Sequence, residues 1–218
     1  MACESLHNLL ASGEANEYNL KMILKEYGFK VPNGHLVGTG SFGAPIRFPA
    51  VLKVVDTRIP HKTEAGAIKL WIKDSNDLED QIEIMHRRFP NYQLMVEEML
   101  FGGLEIISGL YNDRNFGLAI MFGMGGIFTE LYNDISFRAV PINFQDASEM
   151  VAETSVVKFT RDGFRNIKVD MHSLCDFLVK LSNFAVDNMD CIQQLDLNPV
   201  LANQDGEVIL DAKVIGIP

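Results

Sequence analysis

The stretch LDLNPVLANQDGEVILD, residues 195–211, is the most informative part of the sequence. It holds two short apolar segments separated by a turn that ends in Asp205-Gly206, and Asp-Gly between apolar runs predicts a β-hairpin. Such a hairpin folds Asn198 and Asp211 back toward each other, so that an amide oxygen and a carboxylate oxygen face one point. Mg²⁺ prefers hard oxygen ligands, few of them from protein and the rest from water or phosphate. The stretch therefore predicts a holder for a magnesium-nucleotide, and an ordinary surface hairpin with polar turn residues is the alternative.

The composition is that of an ordinary globular protein. The 218 residues suffice for one large domain or two small lobes, with 47% hydrophobic and 22% charged residues. The formal charge of −10 argues against nucleic acid or an anionic membrane as the main partner. Cys3, Cys175 and Cys191 show no metal-ligand spacing and are typical of a reducing compartment. With no signal peptide and no apolar run of about 20 residues, a cytoplasmic protein is expected.

Hydrophobic periodicity predicts three helices and a cluster of strands. The helices cover Glu14–Tyr27, a stretch around Leu78–Phe89 with Asp74 or Ser75 as its cap, and Asp170–Met189. The predicted strands are Phe48–Val55, Gln93–Met99, Leu104–Tyr111, Leu118–Phe122 and Ile127–Tyr132. Strands clustered beside flanking helices indicate an α+β fold rather than a regular alternating parallel sheet.

A glycine-rich segment, Phe122-Gly123-Met124-Gly125-Gly126-Ile127, lies between two predicted strands. Because glycine has no Cβ, backbone N–H groups can approach an anion there. The segment is neither a Rossmann fingerprint nor a P-loop. A flexible hairpin turn is the alternative, and glycine content alone favours it.

Lys53 lies within an otherwise apolar strand and is followed by the loop that begins His61-Lys62. A lysine is costly to bury without a partner, so its ammonium group must reach solvent, a carboxylate or a ligand anion. A phosphate suits the loop that follows. An exposed lysine on an edge strand and a solvated loop histidine are the ordinary alternatives.

These segments and several others occur in a definite order along the chain. They are Lys53, His61-Lys62, Val96–Met99, Gly102–Glu105, Asp113–Gly117, Phe122–Glu130, Asp134–Arg138 and Asp196–Pro199. Over nearly the whole chain they resemble the ATP-grasp (beta) subunit of ADP-forming acyl-CoA synthetases, which are kin of the succinyl-CoA synthetase beta subunit. The resemblance implies an ATP-grasp unit over 1–218 in which two lobes clamp a nucleotide. Its smaller lobe with the N-terminal helix would cover 1–95, and a lobe with hinge, Gly-rich loop and metal-binding hairpin would cover 96–218.

The resemblance further implies that ATP or ADP is the ligand. The strand lysine would hold its phosphates, and the loop backbone around Lys62 would cover them. Main-chain groups of the hinge would contact the adenine edge, and Glu105 would take the ribose hydroxyls. The residues implied to contact nucleotide are Lys53, Lys62, Glu97, Glu98, Met99, Glu105, Gly123, Gly125 and Gly126.

The implied reaction turns acyl-CoA, ADP and phosphate into free acid, CoA and ATP, reversibly. The phosphoryl group would travel on a histidine of a partner alpha subunit, which carries the CoA-binding and phosphohistidine domains. His61 would take part in the relay, and Asp196 would accept a hydrogen bond from the phosphohistidine. Asn198 and Asp211 would bind Mg²⁺. The family suggests two alpha and two beta chains, with no nucleic acid or membrane partner.

Two other functions stay open. One is a stand-alone ATP-grasp carboxylate ligase that works through an acyl-phosphate, although no carboxylate pocket is identified in the sequence. The other is a non-catalytic nucleotide-binding regulatory module, against which His61 argues because binding alone needs no histidine. The chain departs from the family at Ala67, where a second glycine is usual, at the shortened segment Gly38–Pro45, and at Phe164–Ile167 in place of an Arg-Gly-Pro-like stretch.

Overall fold

The chain divides into two compact units. The computed structural model describes residues 2–38, 46–56, 59, 62, 64–126, 134–161 and 163–217. The large unit comprises Met1–Ala15, Leu20–Val31 and Phe101–Pro218, and the small unit comprises Asn16–Asn19 and Pro32–Leu100. The predicted lobes divided the chain at 95/96 instead. The difference arises because most of the two N-terminal helices packs with the C-terminal part of the chain.

The described elements occur as runs of helices and runs of strands. In chain order they are α1 (Ala2–Ser12), α2 (Glu17–Glu26), β1 (Gly34–Leu36), β2 (Ala50–Val54), β3 (Ile68–Ile72), α3 (Ser75–Arg88), β4 (Leu94–Glu98), β5 (Leu104–Asp113), β6 (Gly117–Met124), β7 (Ile135–Ala139), α4 (Phe144–Ala152), α5 (Val157–Arg161), α6 (Met171–Asp187), β8 (Ile192–Asn203), β9 (Gly206–Ile209) and β10 (Ala212–Gly216). The predicted α+β class is confirmed. None of the described helices combines the length and apolar character needed to cross a membrane.

The small unit is built on an antiparallel sheet with strand order β1-β4-β2-β3. The central strand β2 is buried along its whole length, which places Lys53 inside the unit. Helix α3 begins where the Asp74 side chain accepts a hydrogen bond from Asp77 N, as one of the two predicted caps. Its buried residues Leu78 and Met85 join the core formed by β2 and β4.

The large unit contains an antiparallel sheet with strand order β10-β8-β5-β6-β7, in which β9 also pairs with β8. Helix α6, capped by Asp170, buries one face in the same core as the sheet. Phe122 of β6 and Phe184 of α6 are both fully buried there. Burial of a side chain of this size contributes about 1.5–3 kcal/mol.

The strand pattern differs from expectation, because β1, β3, β7 and β10 are not among the predicted strands. The predicted strand Ile127–Tyr132 lies outside the described residues. Strand β3 escaped prediction because Lys69, Leu70 and Trp71 are consecutively exposed, so the alternation that indicates a strand is absent. The register of β3 against β2 is also interrupted, and Trp71 has a φ of 60°.

Candidate functional site

The predicted hairpin near the end of the chain is confirmed. Strand β8 pairs with β9 from Val200↔Ile209 to Asn203↔Gly206. The Asn203 side chain accepts a 2.7 Å hydrogen bond from Asp205 N within the turn. Gly206 has a φ of 109°, which glycine adopts without strain. The hairpin therefore forms for the reason that its turn residues indicate.

Asn198 and Asp211 lie opposite each other, where β9 has ended and β10 has not begun. The backbone N–H of Asp211 donates to the Pro199 carbonyl oxygen at 3.4 Å. The next residue along forms the pair Ala212↔Leu197 in the β8–β10 ladder. Asn198 is exposed and Asp211 is partly buried. The sheet thus brings one amide and one carboxylate side chain to one place.

Lys21 supports the backbone at this place from inside the large unit. Its residue is only 1% exposed, and Nζ donates a 2.8 Å hydrogen bond to the carbonyl oxygen of Leu210. Leu210 N in turn donates to Pro199 O at 3.0 Å. Hydrogen bonds from a charged donor are stronger than neutral ones. Lys21 therefore fixes the chain immediately before Asp211.

Asp196 belongs to the same face of β8 as Asn198. The two residues are separated by one position, and the intervening Leu197 is buried. Burial raises the pKa of the Asp196 carboxyl above its usual value, and the charge of Lys213 opposes this shift. Lys213 is the direct cross-strand neighbour of Asp196 on β10. A carboxylate, an amide and an ammonium group are thereby gathered at this end of the sheet.

The donor set at the hairpin suits a cation that takes few protein ligands. Among the described residues, no group of three or more His, Cys, Asp or Glu side chains could hold a metal ion. A Zn²⁺ site takes three or four protein ligands, whereas Mg²⁺ is bound through one or two protein oxygens, waters and phosphate. Asn198 and Asp211 offer oxygen atoms, which are the protein ligands that hard divalent cations take.

The three glycines predicted to approach a phosphate have different surroundings. A Cβ at Gly123 would lie 2.3 Å from Asp134 O, and one at Gly125 would lie 2.8 Å from the backbone of Glu105. Close packing of strands therefore requires glycine at both positions. Gly126 has a φ of 72°, and no atom of the described residues lies within 4 Å of a Cβ built there. Of the three, Gly126 is the glycine whose presence close packing among the described residues does not explain.

The carboxylate assigned to ribose lies beside these glycines. Gly125 N donates to Glu105 O at 2.9 Å, and the Glu105 side chain is exposed at the start of β5. This hydrogen bond fixes the position of Glu105 relative to Gly126, one residue further along the chain. The exposed carboxylate can therefore accept hydrogen bonds from a ligand.

Side chains of the segment Asp134–Arg138 form hydrogen bonds that join β7 to the turn after α4. Both carboxylate oxygens of Asp134 accept from Ser155 N at 3.0 Å. Ser136 Oγ donates to Glu153 at 2.5 Å, and Arg138 donates to both Glu153 oxygens at 2.5 and 3.0 Å. These contacts give the segment a structural role within the large unit.

In the small unit, Lys53 contacts two carboxylates. Its Nζ lies 2.8 Å from Glu17 Oε1 and 3.0 Å from Glu97 Oε2. The other oxygen of Glu17 lies 2.5 Å from Lys62 Nζ. The sequence left solvent, a carboxylate or a ligand anion as possible partners of Lys53, and the structure shows carboxylates. Their negative charge offsets the unfavourable burial of the ammonium group.

The backbone of the predicted hinge is hydrogen-bonded within the small unit. Glu98 N donates to Asn33 O and Met99 N donates to Pro49 O, both at 2.9 Å. The Glu98 carboxylate also accepts from Asn33 N at 3.1 Å and from Asn33 Nδ2 at 3.0 Å. A ligand at this hinge would therefore be recognised by groups other than these two amides.

The predicted histidine His61 lies outside the described residues, as does Thr63. Lys62 between them is described, and its carbonyl oxygen accepts from Ala67 N at 2.7 Å. The shortened segment noted in the sequence is described only at Gly38, so its geometry stays a prediction.

Sequence reasoning misses two charged residues, Glu17 and Lys21. Both fall on the apolar stripe of α2, together with Leu20 and Leu24, and all four are buried. Every position on such a stripe is expected to face the interior. A charged side chain on an apolar stripe is therefore the signal that could have identified them.

Comparisons with known proteins identify a family. Residues 10–215 match the ATP-grasp domain family. The beta subunit of ADP-forming acetate–CoA ligase II from Pyrococcus furiosus is 33% identical over 229 residues, covering 98% of this chain and 97% of that subunit. ADP-forming acetate–CoA ligase I from Archaeoglobus fulgidus is 35% identical over 205 residues, covering 88% of this chain but only 30% of that protein.

A solved structure is similar over the full length. It is the dinucleotide-forming acetyl-coenzyme A synthetase 1 of Ca. Korarchaeum cryptofilum in complex with coenzyme A and Mg-AMPPCP, with its phosphohistidine segment pointing towards the nucleotide binding site. It is 31% identical, has a TM-score of 0.86, and the match covers 100% of both chains.

Proposed function

The chain belongs to the ATP-grasp family, among the beta subunits of ADP-forming acetate–CoA ligases, and on that premise we propose that it is the nucleotide-binding subunit of an ADP-forming acyl-CoA synthetase. The enzyme would convert acyl-CoA, ADP and phosphate into free acid, CoA and ATP, reversibly. The full-length likeness to a solved relative that holds coenzyme A and Mg-AMPPCP carries the proposal.

Residues of the hairpin and the neighbouring strands would provide the metal ligands and the end of the phosphoryl path. Asn198 and Asp211 would hold Mg²⁺, which neutralises phosphate charge when bound. Asp196, on the same face of β8 as Asn198, would accept a hydrogen bond from a phosphohistidine. The exposed carboxylate of Glu105 would take the ribose hydroxyls, and Gly126 would leave room for a phosphate.

Two lysines would provide cations for the phosphates. Lys53 and Lys62 would contact the phosphates, since ammonium groups stabilise the charge of a transferring phosphoryl group. The hinge Glu97–Met99 would lie beside adenine. His61 would act in the phosphohistidine relay, because a neutral imidazole is a good nucleophile near neutral pH.

A partner is part of the proposal. The chain spans 30% of the Archaeoglobus relative but 97% of the Pyrococcus protein, and the name of the latter as a beta subunit supports an alpha partner. We assign to it the CoA-binding and phosphohistidine domains, in an assembly of two alpha and two beta chains. A cytoplasmic location is supported by Cys175, which is buried and forms no disulfide bond with another described residue.

A coupled assay tests the proposal. The purified chain is mixed with a candidate alpha partner, acetyl-CoA or a longer acyl-CoA, phosphate, Mg²⁺ and either ADP or GDP, and nucleoside triphosphate formation is followed. Turnover is expected only when both chains are present. Acid-dependent ATP consumption by the lone chain would instead favour a stand-alone ligase. Nucleotide binding without turnover with any partner would favour a regulatory module.

A histidine variant tests the relay separately. His61→Ala should abolish turnover while leaving nucleotide binding intact, and His86→Ala, an exposed histidine of α3, is the matched control. Normal turnover by His61→Ala with the partner present would exclude His61 from the relay.

A further inference from the structure

Glu17 joins the two lysines that the proposed function assigns to the nucleotide phosphates. Its side chain is 1% exposed, with Oε1 at 2.8 Å from Lys53 Nζ and Oε2 at 2.5 Å from Lys62 Nζ. Lys53 and Lys62 are 8% and 16% exposed at the side chain. A single buried carboxylate therefore spans two ammonium groups.

Local structure explains why a carboxylate is stable at this position. Glu17 is the first residue of α2, and the N-terminus of a helix favours negative charge. The second carboxylate on Lys53 comes from the sheet, because Glu97 pairs with Val51, two residues before Lys53 on β2. Lys53 and Glu97 are thus diagonal neighbours on one face, at 3.0 Å.

Among the described residues, this cluster includes two carboxylates and two ammonium groups in contact. Without Glu17, the buried ammonium group of Lys53 and the partly buried one of Lys62 would repel each other, and Lys62 would lose this carboxylate contact. Breaking a buried ion pair by removing one partner is costly because it leaves the other charge uncompensated. The carboxylate of Glu17 therefore determines where both ammonium groups lie.

We propose that Glu17 is a positioning residue for phosphate binding, which holds the ammonium groups of Lys53 and Lys62 side by side so that both face the polyphosphate of the nucleotide. This inference rests on the proposed function, because the phosphate role of the lysines comes from it. Glu17 acts through the lysines and need not contact the nucleotide itself.

The test compares how much each added phosphate improves binding. The affinity of the full chain for AMP, ADP and ATP is measured with Mg²⁺ by titration calorimetry. In Glu17→Gln, the gain in affinity from AMP to ATP is expected to fall by about tenfold, with AMP binding unchanged. The reason is that glutamine has a single acceptor oxygen and turns its N–H₂ group toward a lysine.

A control variant on the same helix separates the positioning role of Glu17 from a general effect of substitution. Glu26→Gln, an exposed glutamate on the same helix, should keep the wild-type gain. A merely structural role for Glu17 would weaken AMP, ADP and ATP binding alike and would overturn the inference, as would an unchanged gain in Glu17→Gln. If the wild-type chain binds none of the three nucleotides, the proposed function itself fails.

A second route applies if circular dichroism shows that Glu17→Gln does not fold. Glu17→Asp keeps the charge on a shorter side chain, and Lys62→Gln removes one of its partners. If Glu17 acts through Lys62, the double variant Glu17→Asp/Lys62→Gln should lose little more of the gain in affinity from AMP to ATP than Lys62→Gln alone loses. Fully additive losses would show that the two residues act independently and would overturn the inference.

Discussion

Lys21 Nζ donates a 2.8 Å hydrogen bond to the carbonyl oxygen of Leu210, one residue before Asp211. The two residues are 189 positions apart in sequence. A fully buried ammonium group thereby fixes the backbone that carries a proposed metal ligand. The contact links stability of the large unit to the geometry of the candidate metal site.

Lys21→Met should therefore affect both properties. Removing the donor takes away a charge-assisted hydrogen bond, which is expected to lower the free energy of unfolding by about 2 kcal/mol. The displaced backbone before Asp211 should also weaken Mg²⁺-dependent nucleotide binding. Urea denaturation and calorimetry measure the two effects. Lys25→Met, exposed on the same helix, should change neither, and wild-type values for Lys21→Met would refute the supporting role.

Asp211→Asn should remove the charged member of the proposed Mg²⁺ pair. A carboxylate oxygen is a strong ligand for Mg²⁺. We therefore expect the factor by which Mg²⁺ increases nucleotide affinity to fall about tenfold, while affinity without metal stays the same. Asn198→Ala should lose less, since an amide is an uncharged ligand. Calorimetry with and without Mg²⁺ checks this.

Asp205→Asn in the exposed turn of the same hairpin serves as the control for Asp211→Asn. It should bind Mg²⁺-nucleotide like the wild type. Equal metal enhancement in the Asp205 and Asp211 variants would show that the metal is held elsewhere.

Alanine substitutions should distinguish a glycine that close packing requires from a glycine that lies near the ligand. Gly125→Ala should destabilise the protein by about 1–3 kcal/mol, because its Cβ would meet the Glu105 backbone at 2.8 Å. Gly126→Ala should cost about 1 kcal/mol, because alanine is strained at a φ of 72°. If a phosphate approaches Gly126, this variant should also lose ADP affinity. Urea denaturation and calorimetry are the measurements.

Gly117→Ala provides the matched control for Gly126→Ala. Gly117 has a φ of 74° in the turn between β5 and β6, so it has the same backbone strain. It should show a similar loss of stability with unchanged ADP affinity. If both variants bound ADP equally well, the role of Gly126 near phosphate would be wrong.

Glu207 should make stability fall as pH rises. It is 6% exposed, Ser173 Oγ donates to its Oε2 at 2.8 Å, and its Oε1 has no hydrogen-bond partner among the described residues. Burial raises the pKa of this carboxyl above its usual value of 4.5 despite the opposing effects of the Ser173 hydrogen bond and the Lys30 charge. The folded state then holds the proton more tightly than the unfolded state. Stability from this group is present below the unfolded pKa and is lost as pH rises through the folded pKa.

Glu207→Gln cannot ionise, so its stability relative to the wild type should improve between pH 4 and pH 7. Urea denaturation across this range tests the sign. Glu153→Gln should show the opposite trend, because hydrogen bonds from Arg138 and Ser136 lower the pKa of Glu153. A pH-independent difference for Glu207→Gln would contradict the assigned effect of burial.

Much of the fold follows from local pattern. The helix α6 keeps an apolar face over its whole length, and the hairpin at Asn203–Gly206 has turn residues that favour one geometry. Strand β3 could not be predicted, because it exposes consecutive residues at an edge where the register is interrupted. Local pattern fails where tertiary packing overrides alternation.

The candidate site likewise has parts that the local sequence predicts and parts that it does not. The approach of Asn198 to Asp211 follows from strand, turn and strand, and the order of motifs indicates the family. Glycine is required at Gly123 and Gly125 because backbone atoms of neighbouring segments lie too close for a Cβ. The spacing of glycines in the sequence does not reveal these neighbours. Glycine content alone cannot separate close packing from ligand approach.

The sequence by itself determined the hairpin, the three helices α2, α3 and α6, and the kinship, because periodicity and motif order are properties of the chain read along its length. Only the tertiary structure decided that Glu17 contacts Lys53 and Lys62 and that Lys21 contacts Leu210. The partner of a buried charge depends on which distant segments fold against it. That choice is made by sheet register and helix packing, which the linear order of residues does not encode locally.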